Sequence, residues 1–302
     1  MRTFTSLIAL PVAFALSACA AQDTAPPRMA ADAPRADRTL VFADEFDEGR
    51  LDRSLWNVVG QDFWVNNEQQ AYIDDPRVIG FAEDVPGADG GALVLRPVFA
   101  PGEDTRADRN APFVSGRINT RGKFDVQYGR VEARIRMPDA EGVWPAFWML
   151  GYDEWPGTGE IDIMEYVGEK DWYGVAVHGP GYSGDAGLDN RFMFDAGTDA
   201  TEWHVYAVEW TEDAMVFEID DRPMFRVTRP MTEFFGTWEF DNRKFLILNF
   251  AMGGAYPFKT NGIEEPYNGV PAETVEMVRR DRDAAGNPVA MYVDWVRVYS
   301  AE

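Results

Sequence analysis

Arg130-Val131-Glu132-Ala133-Arg134-Ile135-Arg136 alternates charged and apolar side chains without a break. Only a β-strand sends successive side chains to opposite faces, so this run predicts a strand with one face on a core. Tyr292-Val293-Asp294-Trp295-Val296-Arg297-Val298-Tyr299 has the same period but carries large side chains on both faces, as suits a strand inside a two-sheet sandwich. Outward from these two, short runs of strand-forming residues recur at 92–97, 146–151, 160–166, 204–209, 215–219 and 244–252, separated by Gly, Pro, Asn and Asp. There is no long amphipathic helix pattern and no repeat of 20 to 50 residues. The chain is therefore expected to be all-β, with one sandwich domain over residues 39–302. Residues 98–112 read as an Arg/Asp-rich insertion at one end of it.

Composition narrows the function. Among 302 residues, Asp and Glu number 51 against 28 Lys and Arg, a net charge of −23. Such a field repels polyanions, so nucleic acid and sulfated polymers are poor partners. One Cys and two His are too few for a disulfide framework, a zinc ribbon or a two-His metalloprotease helix, so any catalysis must lean on carboxylates. Ten Trp suggest sugar stacking. At the N-terminus, Arg2 and a short apolar run predict a signal peptide over residues 1–18. Leu16-Ser17-Ala18-Cys19 resembles a bacterial lipoprotein cleavage box, which makes Cys19 the lipidated first residue of the mature chain. Cleavage near Ala21, with Cys19 discarded, is the alternative. Residues 19–38 read as an Ala/Pro-rich tether. The expected location is the bacterial cell envelope, at the outer membrane, with attachment through lipid.

The most informative segment is Gly159-Glu160-Ile161-Asp162-Ile163-Met164-Glu165-Tyr166. In a regular strand Glu160 and Asp162 share a face while Glu165 falls on the other. A β-bulge at Ile163 or Met164 adds one residue and returns Glu165 to the face of Glu160 and Asp162. A retaining glycosidase needs such a pair, one carboxyl as nucleophile and one as acid and then base. The α-carbons of the two glutamates are about 13 Å apart along the pleat, a gap that side chains leaning across a sugar largely close. An Asp between them is placed to hydrogen-bond the nucleophile and, by like-charge repulsion, to keep the acid protonated. Acids standing in solvent and a calcium site are the competing explanations of the same pattern.

These residues resemble glycoside hydrolase family 16, whose signature has the form E-[I/L]-D-x-(x)-E. Glu160-Ile161-Asp162-Ile163-Met164-Glu165 is similar to the longer, bulged version of the laminarinase-like branch. Asn66-Asn67-Glu68-Gln69-Gln70, Ser115-Gly116-Arg117-Ile118-Asn119, Trp144-Pro145-Ala146-Phe147-Trp148 and Leu248-Asn249-Phe250-Ala251-Met252-Gly253-Gly254 look like other family blocks, in family order. The resemblance implies a β-jelly-roll (concanavalin A-like) sandwich with a concave cleft. It implies Glu160 as nucleophile, Asp162 as its assistant and Glu165 as general acid/base. No cofactor is then needed for catalysis, while Glu45 and Asp294 resemble the region of a structural Ca²⁺. Trp144, Trp148 and Trp155 are expected to bracket the cleft, and Asn67 and His178 resemble positions that hydrogen-bond sugar hydroxyls.

The implied activity is retaining endo-hydrolysis of laminarin-type β-1,3-glucan by a monomer, with mixed-linkage β-1,3-1,4-glucan next. The alternatives are a galactan such as agarose or porphyran, and a β-glucan-binding protein without catalysis. Gly179-Pro180-Gly181-Tyr182-Ser183-Gly184 satisfies G-x-G-x-x-G, but no hydrophobic strand leads into it and no helix pattern follows, so it predicts no dinucleotide site.

Overall fold

The computed structural model describes residues 38–60, 63–103 and 111–301. The expected signal peptide, Cys19 and all but the last residue of the tether lie outside the described residues, as does the middle of the 98–112 insertion.

In chain order the strands begin with β1 (Leu40–Asp44), β2 (Asn57–Val58), β3 (Gln70–Tyr72), β4 (Ile79–Ala82), β5 (Ala92–Leu95) and β6 (Val98–Phe99). They continue with β7 (Phe113–Ser115), β8 (Arg117–Asn119), β9 (Gly129–Arg136), β10 (Val143–Leu150), β11 (Glu160–Glu165) and β12 (Trp172–His178). The last six are β13 (Leu188–Met193), β14 (His204–Trp210), β15 (Ala214–Ile219), β16 (Arg222–Thr228), β17 (Phe245–Met252) and β18 (Met291–Tyr299). Three short helices, α1 (Arg229–Phe235), α2 (Ala255–Asn261) and α3 (Ala272–Arg280), lie between the later strands.

Two antiparallel sheets form a jelly-roll sandwich. One runs β16-β15-β14-β9-β18-β5-β4, with β1 added against β18. The other runs β13-β12-β11-β10-β17-β8-β2. Their facing sides share a core to which β9 gives Val131, Ala133 and Ile135, β10 gives Phe147 and Met149, and β17 gives Leu246, Leu248 and Phe250. A third, small sheet β3-β7-β6 contains the ends of the 98–112 insertion, because Val98 and Phe99 pair with Val114 and Phe113.

Alternation along β9 has the expected period, but its polar face is not solvated. Arg130 and Glu132 are as buried as the core. The cause is ion pairing across strands: Arg130 reaches Glu132 at 2.6 Å, Glu209 at 3.0 Å, Glu218 at 2.5 Å and Asp221 at 3.0 Å. A guanidinium has five donors in a fixed fork and can serve several carboxylates at once. All nine residues of β18 are buried, as large side chains on both faces require.

The bulge lies in β11. Against β10, Met164 pairs with Phe147 and Asp162 with Trp148, so Ile163 has no opposite number. Against β12, Asp162 pairs with Ala176 and Glu165 with Gly174, again three steps facing two. Ile163 and Met164 are both buried in the core, and Glu165 emerges on the face of Glu160 and Asp162.

Phe147 is fully buried between the sheets while its neighbour Trp148 faces outward. Phe147→Ala is expected to cost about 3–5 kcal/mol in denaturant unfolding; a loss under about 1 kcal/mol would place the ring outside the core.

Candidate active site

Directly opposed residues in an antiparallel ladder point the same way, so the register assembles the site in rows. Glu165 stands beside Ala146, then Asn249, then Arg117, on β11, β10, β17 and β8. One row along, Ala176, Asp162 and Trp148 stand side by side, and in the next His178 faces Glu160. The outer face of this sheet holds a pocket lined by Glu160, Asp162 and Glu165, by Trp144, Ala146 and Trp148 of β10, and by Asn249 and Ala251 of β17. Arg117 and the segment of Val65, Asn66 and Glu68 close one side.

Three indoles meet the acidic strand or its neighbours through their N–H groups. Trp144 donates to Glu165 Oε1 at 2.9 Å and Trp155 to Glu160 Oε2 at 2.8 Å. Trp148 donates to Asn249 Oδ1 at 2.7 Å. Trp155 is 47% exposed, and its ring centroid lies 6.4 Å from that of His178. His178 Nε2 is 3.4 Å from Asp162 Oδ2.

The carboxyls differ in their hold on a proton. Burial raises Glu165 to about 7, the Trp144 hydrogen bond opposes this, and the charges of Glu160 and Asp189 add to it. Asp162, 3% exposed, is pushed well above the ordinary carboxylate range by burial and by the charges of Glu160 and Glu165, and it is hydrogen-bonded to Glu160. A protonated Asp162 donates that bond. Burial is the largest cause holding the proton on Glu165, and Asp162 and Glu165 repel each other as the sequence led us to expect, the repulsion appearing on the side of Asp162.

Among the described residues, one group of three metal-capable side chains has ligand atoms within 4.8 Å of one another, Glu160, Asp162 and His178, which is the acidic cluster itself. Glu45 and Asp294 do not fit the expected calcium ion. Glu45 is held in a fork by Arg297 at 2.9 and 2.8 Å. Asp294 accepts from Arg134 and from the Asp89 backbone N–H. Guanidinium groups and a backbone N–H occupy the oxygens that a cation would take.

Asn67 is exposed in a left-handed conformation and its carbonyl accepts from Gln69, while its neighbour Asn66 lines the pocket. Sequence reasoning did not single out Asn66, Glu68, Arg117 or Asn249. Arg117 is buried with its guanidinium 3.9 Å from the centre of the Phe63 ring and 4.8 Å from that of Trp148. Glu68 accepts from Gln70 at 2.6 Å and Tyr72 at 3.3 Å. For Arg117 and Asn249 the signal was a charged or amide residue inside an otherwise strand-forming run, whereas Asn66 and Glu68 lie in a polar run that carries no such contrast.

A model of glycosyl hydrolases family 16 matches residues 98–252. The chain is 34% identical over 278 residues to a beta-glucanase of Rhodothermus marinus, across 86% of this chain and 84% of that protein. It is 33% identical over 236 residues to a glucan endo-1,3-beta-glucosidase of Cryptopygus antarcticus, across 72% and 81%. The catalytic domain of an endo-1,3-beta-glucanase (laminarinase) from Thermotoga petrophila RKU-1 superposes with a TM-score of 0.73 at 32% identity, covering 88% of this chain and 99% of that one. Agreement in sequence and backbone over most of both chains makes this protein a member of glycosyl hydrolases family 16.

Proposed function

We propose that the chain is an endo-acting, retaining β-1,3-glucanase with Glu160 as nucleophile and Glu165 as general acid/base. The observation that carries this is the convergence of three carboxyls on one face, one of them holding its proton to about pH 7. In the first step a Glu160 oxygen bonds to the anomeric carbon, the glycosidic C–O bond breaks, and Glu165 gives its proton to the leaving oxygen. In the second, Glu165 takes a proton from water as that water attacks the anomeric carbon and releases Glu160. Asp162 donates a hydrogen bond to Glu160 and orients it.

Laminarin-type glucan is the favoured substrate because the relatives matched at 34% and 33% identity are named for β-glucans, whereas the one named for a galactosidase matches at 26%, and because the indoles offer flat faces to pyranose rings. Mixed-linkage glucan is second. A galactanase is less supported, and a binding protein without chemistry has no need of a proton-bearing Glu165. Signal cleavage and lipid on Cys19 are proposed to hold this monomeric enzyme in the cell envelope.

Chromatography of products from laminarin, lichenan and agarose tests the substrate: a ladder of β-1,3-gluco-oligosaccharides supports the proposal, and products from agarose alone overturn the substrate class. Glu165→Gln is expected to lower kcat on laminarin about 10²–10⁴-fold, and Glu160→Gln to remove measurable hydrolysis, both with unchanged far-ultraviolet circular dichroism. Substantial activity in either variant refutes the roles.

The pH dependence follows from Glu165. The first step needs its proton, so kcat/KM should fall as pH rises through about 7. Its folded pKa lies above the ordinary 4.5, so the stability tied to this proton is full below that value and is lost as pH climbs through about 7. Thermal melts should therefore show Glu165→Gln gaining stability relative to the wild type at pH 8 compared with pH 4. Equal differences at the two values would contradict the raised pKa.

A further inference from the structure

Lys244, the residue before β17, is fully buried, and nothing in the two chemical steps uses it. Its sequence context, Lys244-Phe245-Leu246-Ile247-Leu248, is otherwise apolar. A buried ammonium needs acceptors, since desolvating an unpartnered charge is far costlier than burying a methylene chain. Nζ lies 2.8 Å from the Thr158 carbonyl, 3.1 Å from that of Gly159, 3.2 Å from that of Glu239 and 2.8 Å from Asn242 Oδ1. It also lies 5.3 Å from the centre of the Phe240 ring. Asn242 supports the same acceptors, its Nδ2 donating to Thr158 at 3.1 Å and to Glu239 at 3.2 Å.

Two of these acceptors are the residues just before Glu160. Thr158 N–H donates to the Glu154 carbonyl at 3.1 Å and Gly159 N–H to that of Pro156 at 3.0 Å, so this turn closes the loop that presents Trp155. Gly159 sits at φ +67°, where a Cβ would collide with the Glu239 carbonyl and stand 3.1 Å from Nζ. Trp155 in turn donates to Glu160. The loop base, Trp155 and Glu160 thus form one mechanical unit whose underside is held by the Lys244 side chain together with the Asn242 amide.

We infer that Lys244 is a positioning residue for the nucleophile: through the carbonyls of Thr158 and Gly159 it sets the backbone from which Glu160 projects and the loop that holds Trp155 against it. The inference rests on Glu160 being the nucleophile. It predicts a loss in the glycosylation step itself, and not only in stability.

The test uses a dinitrophenyl 2-deoxy-2-fluoro-β-laminaribioside on the full mature chain. Glu160 bonds to the anomeric carbon, the bond to dinitrophenolate breaks, and this leaving group departs with its electron pair without needing the Glu165 proton. The fluorine slows the second step, so the labelled enzyme accumulates. Lys244→Met is expected to slow the saturated labelling rate about 10–100-fold, the scale of an ångström misplacement, while the half-saturating concentration changes less than about threefold. Wild-type labelling rate in a variant with lowered Tm, measured well below that Tm, would overturn the inference and leave Lys244 purely structural. Where Lys244→Met is not recovered folded, Asn242→Ala perturbs the same carbonyls: slowed labelling supports the inference and unchanged labelling overturns it. Mass spectrometry of the labelled wild-type peptide separates the two claims. A label off Glu160 defeats the nucleophile assignment, whereas a label on Glu160 with unaffected variants defeats only the role of Lys244.

Discussion

A strand alternates faces residue by residue, and two carboxyls five residues apart can share a cleft only if one residue is taken out of the count. Ile163 is that residue. The same irregularity appears against both neighbouring strands, so it belongs to β11 itself. Ile163 and Met164 both turn inward, and the core gains a side chain at the point where the face beyond recovers its third acid. Slipping the strand by one residue would drive Glu160 into the core, which fixes the register firmly.

Gathering three carboxyls in a partly dry pocket sets the chemistry. Full ionisation of all three is opposed by burial and by their mutual repulsion, and the environment decides which keep protons. Asp162 and Glu165 are both raised, with Asp162 hydrogen-bonded to Glu160 and Glu165 joined to Trp144. Burial does most of this, and burial is a property of the packed strands around β11 more than of the acids.

Much of this was legible in the chain. The period of β9 and β18 disclosed a sandwich, and the misfit of Glu165 with strict alternation disclosed the bulge. What stayed hidden depends on pairing between strands. Asn249 and Arg117 join Glu165 only through the register of four strands, which no single strand's period contains. The buried polar face of β9 was missed because Arg130 draws its partners from β14, β15 and the turn after it. Glu45 and Asp294 looked like cation ligands until their arginines were seen. Asn66 lines the pocket and Asn67 does not although both backbones are left-handed, and a two-residue run of Asn carries no sign of which one faces the cleft.

The indoles around the cleft carry a consequence for what the protein can discriminate. Trp144, Trp148 and Trp155 each commit their one N–H to a protein oxygen, so none has a donor left for a sugar hydroxyl. On the proposed reading they meet a sugar through their rings alone, and a ring face senses the C–H side of a pyranose without distinguishing which hydroxyl is axial. On that reading chemical information about the substrate enters elsewhere, through amide and charged side chains of the pocket such as Asn66, Glu68, Arg117 and Asn249. Affinity and selectivity are thereby housed in different parts of the pocket, and one can drift without the other.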